Sequence, residues 1–168
     1  MRENTSLKNV GTMKRTFIFT DMPVWLMLVL VALALPRTIL EDLNIVAPES
    51  SLLYYFLALT PFAVWLAVAI VRKTAKPLMD FLVLGVLYGL SLVVVHQVLW
   101  NTGSSLGHHP PAGAVSFAEN FSPSFREFAL RGYTVMIAMM IGVGSGLIVG
   151  LIAFVAKSAR SKLHKSRS

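Results

Sequence analysis

Few side chains within the apolar stretches of this sequence can carry a charge, move a proton or ligate an ion, so each is a candidate for function. His96 leads the set. At 100° per residue, the steps from Gly85 to Gly89, Leu92 and His96 fall at about 40°, −20° and 20° on a helix. His96 therefore shares a face with the two glycines and points into a bundle, about one turn from the end of its apolar run. Its candidate partners are the acids Glu41, Asp42 and Glu127, whereas Gln97 and Asn101 point elsewhere. A proton-binding, ligand-binding or metal site open to the outside would use this set. A purely structural alternative has His96 bonded to a helix-end carbonyl.

Arg37 lies four residues before Glu41, the spacing of a helical ion pair. It is close enough to the end of its helix to snorkel toward water or to meet an anionic head group. Asp80, in a first helical turn, is expected to favour that helix's dipole and to neutralise Lys76 or Arg72. His108, His109, His96 and Glu119 are possible zinc ligands, but two adjacent histidines in a Gly/Pro-rich loop lack the spacing that presents two rings from one helix face. No metal and no cofactor is expected. Ser145 stands between glycines, yet Val143 breaks the Gly-x-Ser-Gly pattern of rhomboid-type proteases. Ser145 is also about 18 Å below Tyr133, while His96 is about 6 Å below Trp100, too far apart in depth for a base and its nucleophile.

Long apolar runs must position these residues. Of the 168 residues, 55% belong to the hydrophobic set and 14% are charged, and mean hydropathy is +0.69. Soluble domains carry about 25% charged residues. The sequence thus predicts an all-α integral membrane protein, a bundle of four transmembrane helices over about 22–40, 52–71, 78–100 and 133–156. Asp21 is expected to cap the first helix, with Pro23 in its first turn. Ser122 and Glu127 suggest that the fourth helix starts before its apolar part. Residues 101–132 form an outer loop, 1–21 a basic N-terminal segment and 157–168 a basic, disordered tail. A cleaved leader ending at Ala32-Leu33-Ala34 would leave three spans. Against it, the segment before the apolar stretch is long, and the apolar pattern resumes at Ile39-Leu40.

Orientation follows from charge. Twelve of the fifteen Lys and Arg residues lie in 1–21, in the connection at Arg72, Lys73 and Lys76, or in the tail. The positive-inside rule makes that side cytoplasmic and puts both termini there. Its net charge of +7 suits anionic lipid on the cytoplasmic face better than nucleic acid, because it flanks membrane spans. Compact length and short loops suggest a bacterial inner membrane. With no cysteine, disulfide and thiol chemistry are excluded.

Packing is the best-specified property. Ala138, Gly142, Gly146 and Gly150 recur every four residues, and Gly85 and Gly89 repeat that spacing one helix earlier. Small residues in this pattern let helix backbones come close. Pro61, near the middle of the second span, removes a hydrogen bond to the Leu57 carbonyl and favours a kink. A clear packing surface beside few reactive groups favours a non-enzymatic accessory, assembly or regulatory subunit, bound to a membrane-protein partner or to its own copies. The alternative is a small transporter or a lipid- or ligand-binding protein with its site near His96.

Overall fold

The computed structural model describes residues 20–46, 52–72, 74–107 and 109–165. Their regular structure is entirely helical: α1 (Val24–Asp42), α2 (Leu52–Val71), α3 (Pro77–Ser105), α4 (Ala112–Glu119) and α5 (Arg126–Lys165), with a 3-10 turn at Pro123–Phe125 before α5. α1, α2, α3 and the helical stretch ending in α5 are long and apolar enough to cross a membrane. Most of the basic N-terminal segment, Lys73, His108 and Arg167 lie outside the described residues.

α3 and α5 form the central pair. α1 packs on α3, and α2 closes the bundle against α1 and α5. The centre is possible only without side chains. A Cβ on Gly85 would stand 2.5 Å from the Gly142 carbonyl oxygen, and one on Gly142 or Gly146 would collide with Gly89 or Phe81 backbone. Gly150 meets Leu78, and Ala138 lies buried beside Gly89. Lipid is as apolar as leucine, so this close contact, not water exclusion, holds the pair together. The flanking core carries Met27, Leu30, Phe81 and Leu84. It also holds a T-shaped cluster of Phe62, Trp65 and Tyr88, in which the Trp65 Nε1–H donates to the Leu30 carbonyl at 3.1 Å. Pro61 sits buried inside an unbroken α2, one turn before Trp65.

Several local expectations change. Asp21 does not cap α1. Pro23 takes the N-cap position, and its carbonyl receives the Leu26 and Met27 N–H groups. The Asp21 carboxylate instead accepts from the Ala75 N–H at 3.0 Å, tying the start of α1 to the α2–α3 connection. Asp80 pairs with neither Lys76 nor Arg72 among the described contacts. Fully buried, it accepts from the Asp21 and Met22 N–H groups at 2.8 and 3.2 Å and from the Thr74 hydroxyl at 2.6 Å. Backbone donors of the chain just before α1 are thus satisfied by a side chain of α3. Ser122 supplies its carbonyl, not its hydroxyl, to the turn before α5.

The ends of the spans also differ. α3 runs on to Ser105, and the expected outer loop contains α4, whose Ala114 and Ala118 are buried against α5. At 40 residues, α5 is about 60 Å long. Its basic end is helical through Lys165 instead of disordered. Lys157 donates to the Ala75 carbonyl at 2.6 Å and Arg160 to the Ile70 carbonyl. Arg160 thereby satisfies a carbonyl in the last turn of α2, the pole that favours positive charge, while Lys157 holds the connection that follows.

Candidate functional site

The last two turns of α1 carry Arg37, Thr38, Glu41 and Asp42, and helical spacing sorts them into two faces. Arg37 and Glu41, four residues apart, form an ion pair at 3.0 Å. The Arg37 guanidinium also lies over the Tyr54 ring of α2, 5.0 Å from its centroid. Thr38 and Asp42 turn toward α3 and are both buried. Thr38 and Tyr88 line the same space. Asp42 meets His96, whose Nδ1 is 2.7 Å and 2.9 Å from the two carboxylate oxygens.

Two local devices hold this end of α1 against α3. Asn44 adopts the left-handed conformation, φ 55°, as the chain leaves α1, and short asparagine tolerates that state better than most residues. Its side-chain amide then donates to the Leu106 carbonyl at 3.0 Å, tying the exit of α1 to the exit of α3. α4 lies across the same end, and Gly113 is fitted against the Tyr133 hydroxyl, to which an added Cβ would come within 3.0 Å.

Between these elements lies a cavity of about 560 Å³. Its depth is apolar, lined by Leu92, Ile137, Ala138 and Ile141, and its aromatic wall comes from Tyr88, Trp100 and Tyr133. Arg37, Glu41, Asp42 and His96 line its charged side, and Pro110, Pro111 and Gly113 close over it. Cavities of about 300–1,000 Å³ with an apolar lining and a few converging polar groups are the usual form of small-molecule sites.

Four of the five site residues expected from sequence, His96, Arg37, Glu41 and Asp42, line this one space. Glu127 does not. It pairs with Arg131 at 2.8 Å, and Arg131 lies over the Trp100 ring and reaches the Gln97 side-chain oxygen at 3.3 Å. The i,i+4 spacing of Glu127 and Arg131 was the available signal for that pair. Tyr88, Trp100, Tyr133 and Thr134 also line the cavity. Nothing local distinguishes them from ordinary interface aromatics and helix residues, since only the α1–α3–α5 packing brings them together.

Ser145 bonds back to the Ile141 carbonyl of its own helix at 2.7 Å. Among the described residues no three His, Cys, Asp or Glu side chains converge on a metal position, and His108 lies outside them. On the far side of Tyr133, Phe117, Phe121, Phe125 and Phe128 line a second, apolar groove of about 360 Å³. Comparison with known proteins finds no matching family model, no matching curated protein and no matching solved structure, so the site's own geometry has to carry the functional reading.

Proposed function

We propose that this chain is a ligand-binding integral membrane protein whose ligand is an amphiphile lodged in the cavity between α1, α3 and α5. The observation that carries this reading is the division of the cavity into an apolar depth and a charged side built from Arg37, Glu41, Asp42 and His96. A molecule filling it must be greasy along one part and hydrogen-bonding along another, which describes a lipid or lipid-like compound. The accessory-subunit reading loses its main support here. The glycine faces of α3 and α5 are occupied by each other, so they do not remain free to hold a partner.

The proposed orientation places the cavity on the outer side of a bacterial inner membrane and both termini in the cytoplasm. Arg72, Lys76, Lys157, Arg160 and Lys162 gather at the opposite end, where anionic lipid would face them. The test is native mass spectrometry on protein released gently from its own membrane. Wild type is expected to carry a stoichiometric amphiphile. Thr134→Trp, which fills the cavity from α5, is expected to lose it while retaining the helical content and melting temperature of wild type. Equal retention by both proteins, or a stoichiometric second polypeptide in place of any small molecule, overturns the proposal.

A further inference from the structure

Three of the four long helices wall the cavity. α1, α3 and α5 supply its sides, and no described residue of α2 lines it. α2 reaches its rim at Tyr54, stacked on the Arg37 guanidinium, and its floor at Phe62 and Trp65, packed on Tyr88. The loop end of the cavity is roofed. Pro110, Pro111 and Gly113 lie over it, and α4 is fastened to α5 through buried Ala114 and Ala118. Asn44 ties the exit of α1 to the Leu106 carbonyl beside that roof.

One stripe of α5 shows where the remaining side leads. At about 100° per residue, Thr134, Ile137, Ile141, Ser145, Ile148 and Ile152 fall within about 40° of a single line along the helix. Its upper part, Thr134, Ile137 and Ile141, walls the cavity. Its lower part lies open, with Ile148 62% and Ile152 40% exposed. Ile141, 43% exposed, belongs to both. In a membrane span an exposed apolar face meets acyl chains. The cavity wall on α5 therefore continues, without a change of face, as lipid-facing surface.

Resting on the amphiphile reading above, we infer that the cavity is entered sideways from the surrounding leaflet, past Ile141, and that its ligand is a two-chain phospholipid with one chain in the apolar depth and the other left in the bilayer. A cavity of about 560 Å³ encloses a drug-sized molecule, and a two-chain phospholipid is larger than that. Moving one chain from lipid into the apolar depth costs little, because both surroundings are equally apolar. The depth of the polar groups also fits. Arg37 and Glu41 share the cavity with Trp100 and Tyr133, aromatic residues of the kind that sit at the head-group level. A phospholipid sliding in from that leaflet keeps its head at its own depth, whereas a ligand arriving from water has to lift α4.

The experiment reconstitutes the full-length protein into vesicles, extracts it in mild detergent and counts bound lipid by native mass spectrometry. Thr134→Trp is the blank for lipid held outside the cavity. The vesicles are dioleoyl phosphatidylcholine, alone or mixed in equal parts with its one-chain lyso form or with a phosphatidylcholine carrying one oleoyl chain and one chain ending in pyrene. Zwitterionic heads are used because anionic ones would also gather at the basic end of the bundle. Wild type is expected to retain the dioleoyl lipid beyond the blank, and to retain the pyrene lipid in proportion to its share, since a chain outside the cavity can be bulky. Ile141→Trp should slow replacement of bound lipid by its deuterated form about tenfold or more, and Ile148→Trp, below the cavity on the same face, should not. Retention of the dioleoyl lipid with exclusion of the pyrene lipid would mean that both chains are enclosed, and retention of the lyso form alone would mean a one-chain ligand. Either result overturns this inference and leaves the amphiphile reading standing, as does unchanged exchange in Ile141→Trp. Retention of none of the three beyond the blank overturns both.

Discussion

At the scale of single residues, the two ends of the bundle use carboxylates in opposite ways. Asp42 pairs directly with a histidine on the wall of a cavity, whereas Asp80 is fully buried and accepts from two backbone N–H groups and a hydroxyl. The second arrangement leaves no room for a ligand and reads as a fastening. It joins the start of α1 to the connection before α3, and Asp21 repeats the link by accepting from the Ala75 N–H. Asp80→Ala would take the acceptor from the Asp21 and Met22 N–H groups, while the Thr74 hydroxyl keeps the Asp21 carboxylate within reach, at a cost of about 1–3 kcal/mol. Thermal unfolding in detergent should show a clear drop in melting temperature, with the ligand affinity of the folded protein unchanged. A melting curve identical to wild type would mean that water reaches those donors and that the fastening is not needed. None of this was legible in the sequence, because two of the donors are main-chain groups 58 and 59 residues away. The direction of His96 was legible, since it shares a helical face with Gly85 and Gly89. Its choice of Asp42 over Glu41 was not. One step of 100° around α1 decides that choice, and only the packing of α1 on α3 sets it.

At the scale of elements, apolar length alone exposed the four long helices, because a bilayer demands about 20 such residues in a row. Where each helix stops was harder to read, since polar residues outside the hydrocarbon say little about whether the backbone stays helical. α5 shows this at both ends. It begins at Arg126 and stays helical through the basic residues after Ala156, where Lys157 and Arg160 find carbonyls of neighbouring segments. α4 was hidden for another reason. Eight residues, half of them alanine or glycine, look like a loop until α5 supplies a surface for Ala114 and Ala118. The glycines of α5 are not equivalent, and that gives a sharp test. Gly146 presses on Phe81 and Gly85, while a Cβ on Gly144 would meet nothing within 4 Å. Gly146→Leu should separate α3 from α5 and abolish a cooperative unfolding transition. Gly144→Leu, one turn-half away on the same helix, should melt as wild type does. If both variants behaved alike, glycine would matter here only for backbone flexibility, and the close approach of α3 and α5 would not be what holds the bundle.

At the scale of the whole molecule, the bundle has two chemically distinct ends. One gathers Asp21, Thr74 and Asp80 in a hydrogen-bonded knot, with Arg72, Lys76, Lys157 and Arg160 around it. The other holds the cavity, with α4 folded across it and the Asn44–Leu106 bond drawing α1 and α3 together. A site that receives an amphiphile has to open near a membrane surface. Which surface depends on orientation, and the positive-inside rule sends the basic end to the cytoplasm. The absence of native cysteine makes this directly measurable. Ser105, exposed at the end of α3, and Ser161, exposed near the end of α5, mark opposite ends of the bundle. In intact cells a membrane-impermeant maleimide should label Ser105→Cys and spare Ser161→Cys, and lysis should make both reactive. The reverse pattern would put the cavity in the cytoplasm, where its ligand would come from the inner leaflet, and would make the basic end the exterior one against the charge rule. Labelling of both in intact cells would mean that the chain takes two orientations. The cavity would then open to both sides across the population, and a binding site with a single source of ligand would no longer describe it.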